Sequence, residues 1–339
     1  MKKLALLILF ISFSVSSQNL PKLYEKVNSS VVFIDIESFD YSEVLFSQKV
    51  NTEESLGSGV LVGEEGYIWT AAHVIQSAEK ITVEFTDGDK YEAEVIASDT
   101  NADVALIRVK DSFDLKKKEV AVIADSDKAK IGDNVFIIGA PHGFKQSLSR
   151  GIVSGRFVPE GLSSNFEKVE FLQTDASINP GNSGGPMFNM DGQVIGIASR
   201  IYTTSGGFDG IGFAVASNVA KKLLADVTGS WSGMESLFLT PELAALLNVP
   251  QKAGVLITKI SSKGTAAKLG LIGGYIPINV AGQEVLLGGD IILEIAGVRF
   301  ENQESIYKVK ESLKKIKKGT KISIVILRHG QQIATQFEK

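Results

Sequence analysis

Cysteine is absent from the 339 residues, which excludes disulfides, thiolate metal sites, a thiol nucleophile and a lipid-modified N-terminal cysteine. Any nucleophile therefore has to be an oxygen or a nitrogen. A surplus of positive charge is missing too. Thirty-five Lys+Arg against 39 Asp+Glu leave a net charge of -4, so no overall basic field draws the chain to nucleic acid or anionic lipid. Only three histidines occur, far apart at His73, His142 and His329. Without a His-Glu-x-x-His pair they make no metal cluster, and no metal or cofactor is expected. The run GSGVLVG (57–63) lacks the glycine spacing of a dinucleotide loop, and no Gly-x-x-x-x-Gly-Lys-Ser/Thr phosphate loop is present. Proline is scarce at 8, whereas glycine reaches 33, which favours tight turns between strands over flexible linkers. The length suggests two compact domains at roughly 150 residues each, and 44% apolar with 22% charged residues is ordinary globular composition.

At the N-terminus, Lys2 and Lys3 precede the apolar run Leu4 to Ile11, extended through Phe13 and Val15, before the small residues Ser16 and Ser17. This pattern reads as a cleaved signal peptide over 1–17. A helix of about 12 residues reaches ~18 Å, short of the ~30 Å hydrocarbon core, so a removed segment fits better than an anchor.

From Ser30 to Ser217 short β-branched and aromatic runs alternate with glycine or polar turns: 30–37, 57–63, 67–74, 81–87, 90–98, 104–109, 135–141, 170–177 and 194–202. Such spacing predicts an all-β sandwich or barrel pair. Asp-Gly turns in TDGDK (86–90) and NMDGQ (189–193) predict hairpins. The stretch between Ile36 and Gly57, mixed in charge, reads as a loop. The period then changes. SNVAKKLLADV (217–227) predicts a helix behind a Ser217/Asn218 cap, closed by Gly229. A domain boundary is expected at about 228–231. Beyond it the pattern is α+β: helix 240–249, strand 254–260, helix 264–270, strand 290–297, helix 302–316 and hairpin 321–338.

One segment carries chemistry. INPGNSGGP (178–186) sets Ser183 among Gly181, Gly184 and Gly185, and glycines there let backbone N–H groups converge on one oxyanion. The pattern also satisfies the Gly-x-Ser-x-Gly elbow of α/β-hydrolases, but that fold needs its acid and then its histidine after the serine. The sole histidine downstream is His329, in the last predicted hairpin. Upstream, TAAHV (70–74) ends a predicted strand with His73 and NADVALIRV (101–109) starts one with Asp103. The order His, Asp, Ser suits a double β-barrel, with Ser183 as nucleophile, His73 as base and Asp103 holding the imidazole tautomer. Asp99 sits in the polar turn SDTNAD and reads as an Asx turn; His142 between Pro141 and Gly143 reads as loop structure.

GSGVLV (57–62), TAAHV, ADVALIRV (102–109), GIVSG (151–155), QTDASINPGNSGGP (173–186) and GIGFAVASN (210–218) resemble the protease domain of the HtrA/Deg serine proteases. LTPELAALL (239–247), GVLITKI (254–260), GTAAKLGL (264–271) and GDIILEIAG (289–297) resemble their C-terminal PDZ domain. The resemblance implies a chymotrypsin-like double β-barrel over 18–228 and a small α+β PDZ domain over 229–339. It implies an ATP-independent, periplasmic or membrane-associated endopeptidase for unfolded polypeptides, working in envelope quality control and stress response. It implies an oxyanion hole from Gly181, Asn182 and Ser183, and a specificity pocket near Ile178, Arg200, Ile201 and Tyr202. WSGM falls at the family's carboxylate-binding loop, so Trp231, Ser232, Gly233 and Met234 would take peptide C-termini by β-augmentation. The departure is an insertion at about 272–288, either a cover or extension of the groove or a solvated hairpin. The family is built on trimers, with Leu20, Leu23 and Tyr24 available for packing between subunits or against their own barrel. The lysines from Lys308 to Lys318 read as the solvated end of the last helix. A non-proteolytic chaperone or peptide-binding scaffold of the same fold is the alternative function.

Overall fold

The computed structural model describes residues 19–42, 50–159, 169–225, 231–280 and 283–338. The signal-peptide segment, Gly229 and most of the expected domain boundary lie outside them.

Strands β1 (Val31–Asp40), β2 (Asn51–Gly63), β3 (Tyr67–Thr70), β4 (Lys80–Glu84), β5 (Lys90–Asp99) and β6 (Val104–Val109) close a barrel in the order β1-β2-β3-β6-β5-β4. A second barrel closes in the order β10-β11-β12-β9-β8-β7. Its strands are β7 (Asn134–Gly139), β8 (Ser147–Phe157), β9 (Phe171–Thr174), β10 (Pro186–Asn189), β11 (Val194–Ile201) and β12 (Gly212–Ala216). The mainly β, double-barrel reading holds. Both Asp-Gly turns fall where expected, with Gly88 at φ 90° between β4 and β5 and Gly192 at φ 75° between β10 and β11.

Two local readings need correction. Within the stretch 36–57, residues 36–40 and 51–57 are strand: β1 and β2 pair from Val31↔Val60 out to Asp40↔Asn51. Residues 52–56 of β2 are exposed, so this ribbon carries no inward apolar alternation to reveal it. The strand read over 67–74 ends at Thr70 and gives way to helix α2 (Ala72–Ile75). Ala72, Val74 and Ile75 are buried there, and a short apolar run cannot by itself separate a buried strand from a buried helical turn.

Each barrel has its own interior. Ile34, Leu61, Ile68, Val83 and Ile107 fill the first; Ile137, Leu172, Met187 and Ala198 fill the second. A third cluster joins the two, in which Trp69 and Leu106 meet Phe136, Phe171, Phe188 and Leu224. The Phe136 and Phe188 rings stack at 5.2 Å. Helix α3 (Ser217–Leu224) closes this seam through Ala220 and Leu224. Its expected Ser217 cap is absent, because the Ser217 hydroxyl donates to the Ala124 carbonyl instead. The N-terminal helix α1 (Leu20–Val27) lays Leu20, Leu23 and Tyr24 against the same cluster, and the Tyr24 hydroxyl donates to the Gln146 carbonyl.

The C-terminal part holds a sheet ordered β13 (Met234–Leu239), β14 (Gly254–Ile260), β17 (Ile291–Ile295), β19 (Lys321–Arg328) and β20 (Gln331–Glu338), with β18 (Val298–Arg299) beside β17. Helices α4 (Pro241–Leu246), α5 (Thr265–Lys268) and α6 (Ser305–Lys315) accompany it. The stretch expected as an insertion holds a separate hairpin, β15 (Ile276–Val280) and β16 (Gln283–Leu287). Asp290 fixes its root: the buried carboxylate accepts the Ile272 N–H at 2.9 Å and two N–H groups of Arg328, each at 2.6 Å.

Candidate active site

His73 sits in α2, and Asp103 occupies the turn immediately before β6 with φ 58°. The left-handed conformation is uncommon for a non-glycine residue, and it accompanies a carboxylate that accepts three kinds of donor. The His73 backbone N–H reaches Oδ1 at 3.0 Å, His73 Nδ1 lies 2.9 Å from both carboxylate oxygens, and the Ser199 hydroxyl donates to Oδ2 at 2.5 Å. Nδ1 therefore carries the proton, and Nε2 is left as the acceptor. Burial alone would raise the Asp103 pKa, but the His73 contacts and Ser199 outweigh it and hold the carboxyl below its usual range. His73 is half exposed, with an open side toward the cleft. Crowding by protein disfavours its charged form, yet the hydrogen bond and charge of Asp103 lift its pKa above the ordinary imidazole value. Arg200 works against that rise and Glu235 adds to it.

Ser183 shares a cleft of about 370 Å³ with His73. Its carbonyl accepts the Ser58 N–H at 2.8 Å, and the Gly181 carbonyl accepts the Ser58 hydroxyl at 2.7 Å, so β2 clamps the turn from the first barrel. Two glycines are obligatory here. A Cβ on Gly181 (φ 102°) would come within 2.1 Å of the Ala140 carbonyl oxygen, and one on Gly184 (φ 84°) within 2.1 Å of the Thr70 hydroxyl. The turn spends the Asn182 N–H on the Asn179 carbonyl and the Gly184 N–H on the Ala198 carbonyl. Among the described residues the N–H groups of Gly181 and Ser183 meet no acceptor, which leaves both donors open beside the cleft. Asn182, expected as a third donor, is not free to contribute.

Of the four residues expected at a specificity pocket, three come together. Ile178, 2% exposed, Arg200 and Ile201 line the cleft with Ser199. Tyr202 does not: it is 60% exposed, beyond the end of β11, with its N–H on the Ile211 carbonyl. The Arg200 guanidinium lies 4.7 Å from the Phe171 ring centroid. Asp99 behaves as an Asx turn, accepting the Asn101 and Ala102 N–H groups, and also pairs with Lys310 of α6 at 2.6 Å. Lys310 is thus drawn from the solvated face expected for it. His142, at φ 51°, supports the serine turn through its N–H on the Pro180 carbonyl.

In the loop 231–234 the carbonyls of Trp231, Ser232 and Gly233 accept the N–H groups of Thr265, Ala266 and Ser261. Because a trans peptide unit points its N–H opposite its C=O, the N–H groups of Ser232, Gly233 and Met234 face the other way.

The description trypsin-like peptidase domain matches residues 57–197. A protein of Pseudomonas putida described as a probable periplasmic serine endoprotease DegP-like is 36% identical over 287 residues, covering 82% of this chain and 54% of that protein. A Halomonas elongata protein of the same description is 36% identical over 285 residues, with the same coverage. The chain spans about half the length of these curated relatives. Among solved structures, the HtrA-type protease AlgW with decapeptide is 29% identical at a TM-score of 0.53, covering 95% of this chain and 99% of that one. A serine-to-alanine form of AlgW with decapeptide is 30% identical at a TM-score of 0.57, covering 94% and 96%. An Asp-His pair beside a glycine-bound serine, on two closed barrels and with this similarity along nearly the whole chain, makes the protein a member of the HtrA-type protease family.

Proposed function

We propose that the chain is a serine endopeptidase that cuts unfolded polypeptides without ATP. The observation that carries this reading is the His73–Asp103 pair at 2.9 Å opening onto Ser183, beside two free N–H groups. His73 Nε2 takes the Ser183 proton as Oγ attacks the scissile carbonyl, the Gly181 and Ser183 N–H groups hold the resulting oxyanion, and His73 returns the proton to the leaving amine. Asp103, kept ionised, stabilises the imidazolium between these steps. Ile178 at the base of the cleft supports a preference for small aliphatic side chains before the cut.

Further parts of the reading are organisation and place. The protease domain comprises 18–228 and a PDZ domain 229–339, whose loop N–H groups at 232–234 take peptide C-termini beside β13. The similarity to periplasmic serine endoproteases supports export to the periplasm after loss of 1–17, and a role in envelope quality control. Homotrimeric assembly, which the resemblance implies, belongs to the reading; Leu20, Leu23 and Tyr24, the residues available for it, pack on their own barrel.

Reduced casein incubated with the chain from Gln18 onward, beside Ser183→Ala at equal concentration, tests the reading. Cleavage by the wild type alone is expected. Equal cleavage by both would remove Ser183 as nucleophile. The Ser183 hydroxyl makes no hydrogen bond to a described residue, so silence from both, even with C-terminal peptides added, would favour the chaperone or scaffold reading.

A further inference from the structure

Two clefts meet at His73. One is the catalytic cleft. The other, about 700 Å³, begins at His73 and Asp103 and runs between the first barrel and the C-terminal sheet as far as the β15–β16 hairpin. Its near wall includes Gln76, just past α2; its far wall includes Glu235 and Leu237 of β13 and Glu284 and Val285 of β16. The hairpin contributes Glu284, Val285 and Leu286 of β16 to the lining. Val285 packs into the same apolar cluster as Leu237, so the hairpin is anchored on the sheet.

The walls have a definite chemistry. Glu53, also in the near wall, is neutralised by Lys259 at 2.5 Å. Glu235 accepts the Ser77 hydroxyl and shares the field of Lys259, and Glu284 is exposed; neither makes a direct ion pair with a lysine or arginine among the described residues. Gln76 is only 7% exposed. Its Nε2 donates to the Met234 carbonyl at 2.6 Å and to the Ser232 hydroxyl at 3.2 Å, while Oε1 accepts from nothing described. A buried amide oxygen without a donor costs desolvation energy and suits an incoming N–H.

We propose that this second cleft binds the substrate chain itself, as an extended segment that sets apolar side chains toward Leu237 and Val285 and a lysine or arginine toward Glu235 and Glu284. The assignment rests on the endopeptidase reading. A ligand that fills this cleft and also reaches Ser183 must be chain-like, because the two clefts share only the His73 side chain. The hairpin is then part of the protease's substrate site, in a cleft that Ser232 and Met234 of the expected carboxylate-binding loop also line. Contacts made so far from the scissile bond are held equally in ground and transition states, so they act on KM and leave kcat alone.

The test uses two fluorescent unfolded polypeptides of equal length and apolar content, one with lysine and one with glutamate at the same positions. Titrated against full-length Ser183→Ala at low salt, the lysine chain is expected to bind about tenfold more tightly, and Glu284→Lys, on an exposed position, to erase that preference. In the catalytically competent protein, Glu284→Lys is expected to raise KM for the lysine chain with kcat unchanged and to leave a short reporter peptide untouched. Equal binding of the two chains, an unaltered preference in Glu284→Lys, or equal slowing of the short reporter would each overturn the proposal. If Ser183→Ala holds the lysine chain through Glu284 while the wild type cuts nothing, the cleft stands and the endopeptidase reading falls. Cleavage without any charge preference has the opposite meaning.

Discussion

Asp103 combines an uncommon backbone, burial and ionisation, and all three serve His73. Asp103→Asn keeps the shape but offers an amide where Nδ1–H needs an acceptor; kcat is expected to fall by about 10⁴-fold with an unchanged circular dichroism spectrum. The base works only when neutral, so activity disappears as pH falls through the His73 pKa. Because Asp103 holds that pKa above the ordinary value, the acid limb of kcat/KM is expected above about pH 6.5. Arg200 lowers it and Glu235 raises it. Arg200→Ala should therefore move the limb to higher pH and Glu235→Gln to lower pH, and limbs that coincide with wild type would contradict this account. The His73–Asp103 pair and its shared cleft with Ser183 were legible because turn glycines and chain order leave few arrangements. Ser199 was not: within VIGIASRIY a buried serine looks like any small strand residue, and only its hydroxyl on Asp103 reveals it. Nor could spacing tell that the Asn182 N–H turns to the Asn179 carbonyl while its neighbours stay free.

Elements are set by similarly local chemistry, but some are held from a distance. The β15–β16 hairpin leaves the sheet between Ile272 and Asp290, and the Asp290 carboxylate, 1% exposed, ties both ends to Arg328. Asp290→Ala leaves the Ile272 N–H without its acceptor and the Arg328 guanidinium with the Gly270 carbonyl alone. A loss of about 2–4 kcal/mol is expected from the urea midpoint; a change under about 0.5 kcal/mol would mean that packing alone holds the root. Glycine and Asp-Gly turns made most strands readable, together with the later helices. The β1–β2 ribbon was hidden because residues 52–56 face solvent, and α2 because its residues are apolar without a readable period.

At the scale of the whole molecule, the segment just after His73 doubles as the dock for the C-terminal sheet. Gln76 and Ser77 hold Met234 and Glu235, the Ala78 carbonyl accepts the Ser261 hydroxyl, and the Glu79 carboxylate accepts the Ser262 N–H at 2.5 Å and hydroxyl at 2.6 Å. Lys310–Asp99 and Lys259–Glu53 flank this seam. None of it could be read from sequence, since polar residues that pair across 150 or more positions carry no local signature. Glu79, 9% exposed, accepts both the N–H and the hydroxyl of Ser262, and its loss leaves those two donors unmet. Two parts joined by such a seam unfold together when the seam is worth more than the difference in their own stabilities, and separately when it is not. Glu79→Ala is therefore expected to split a single calorimetric transition into two and to weaken the lysine-chain preference, since the far wall of the second cleft is carried by the docked sheet. A variant that still melts in one step and still prefers the lysine chain would show that the flanking ion pairs alone hold the sheet in place.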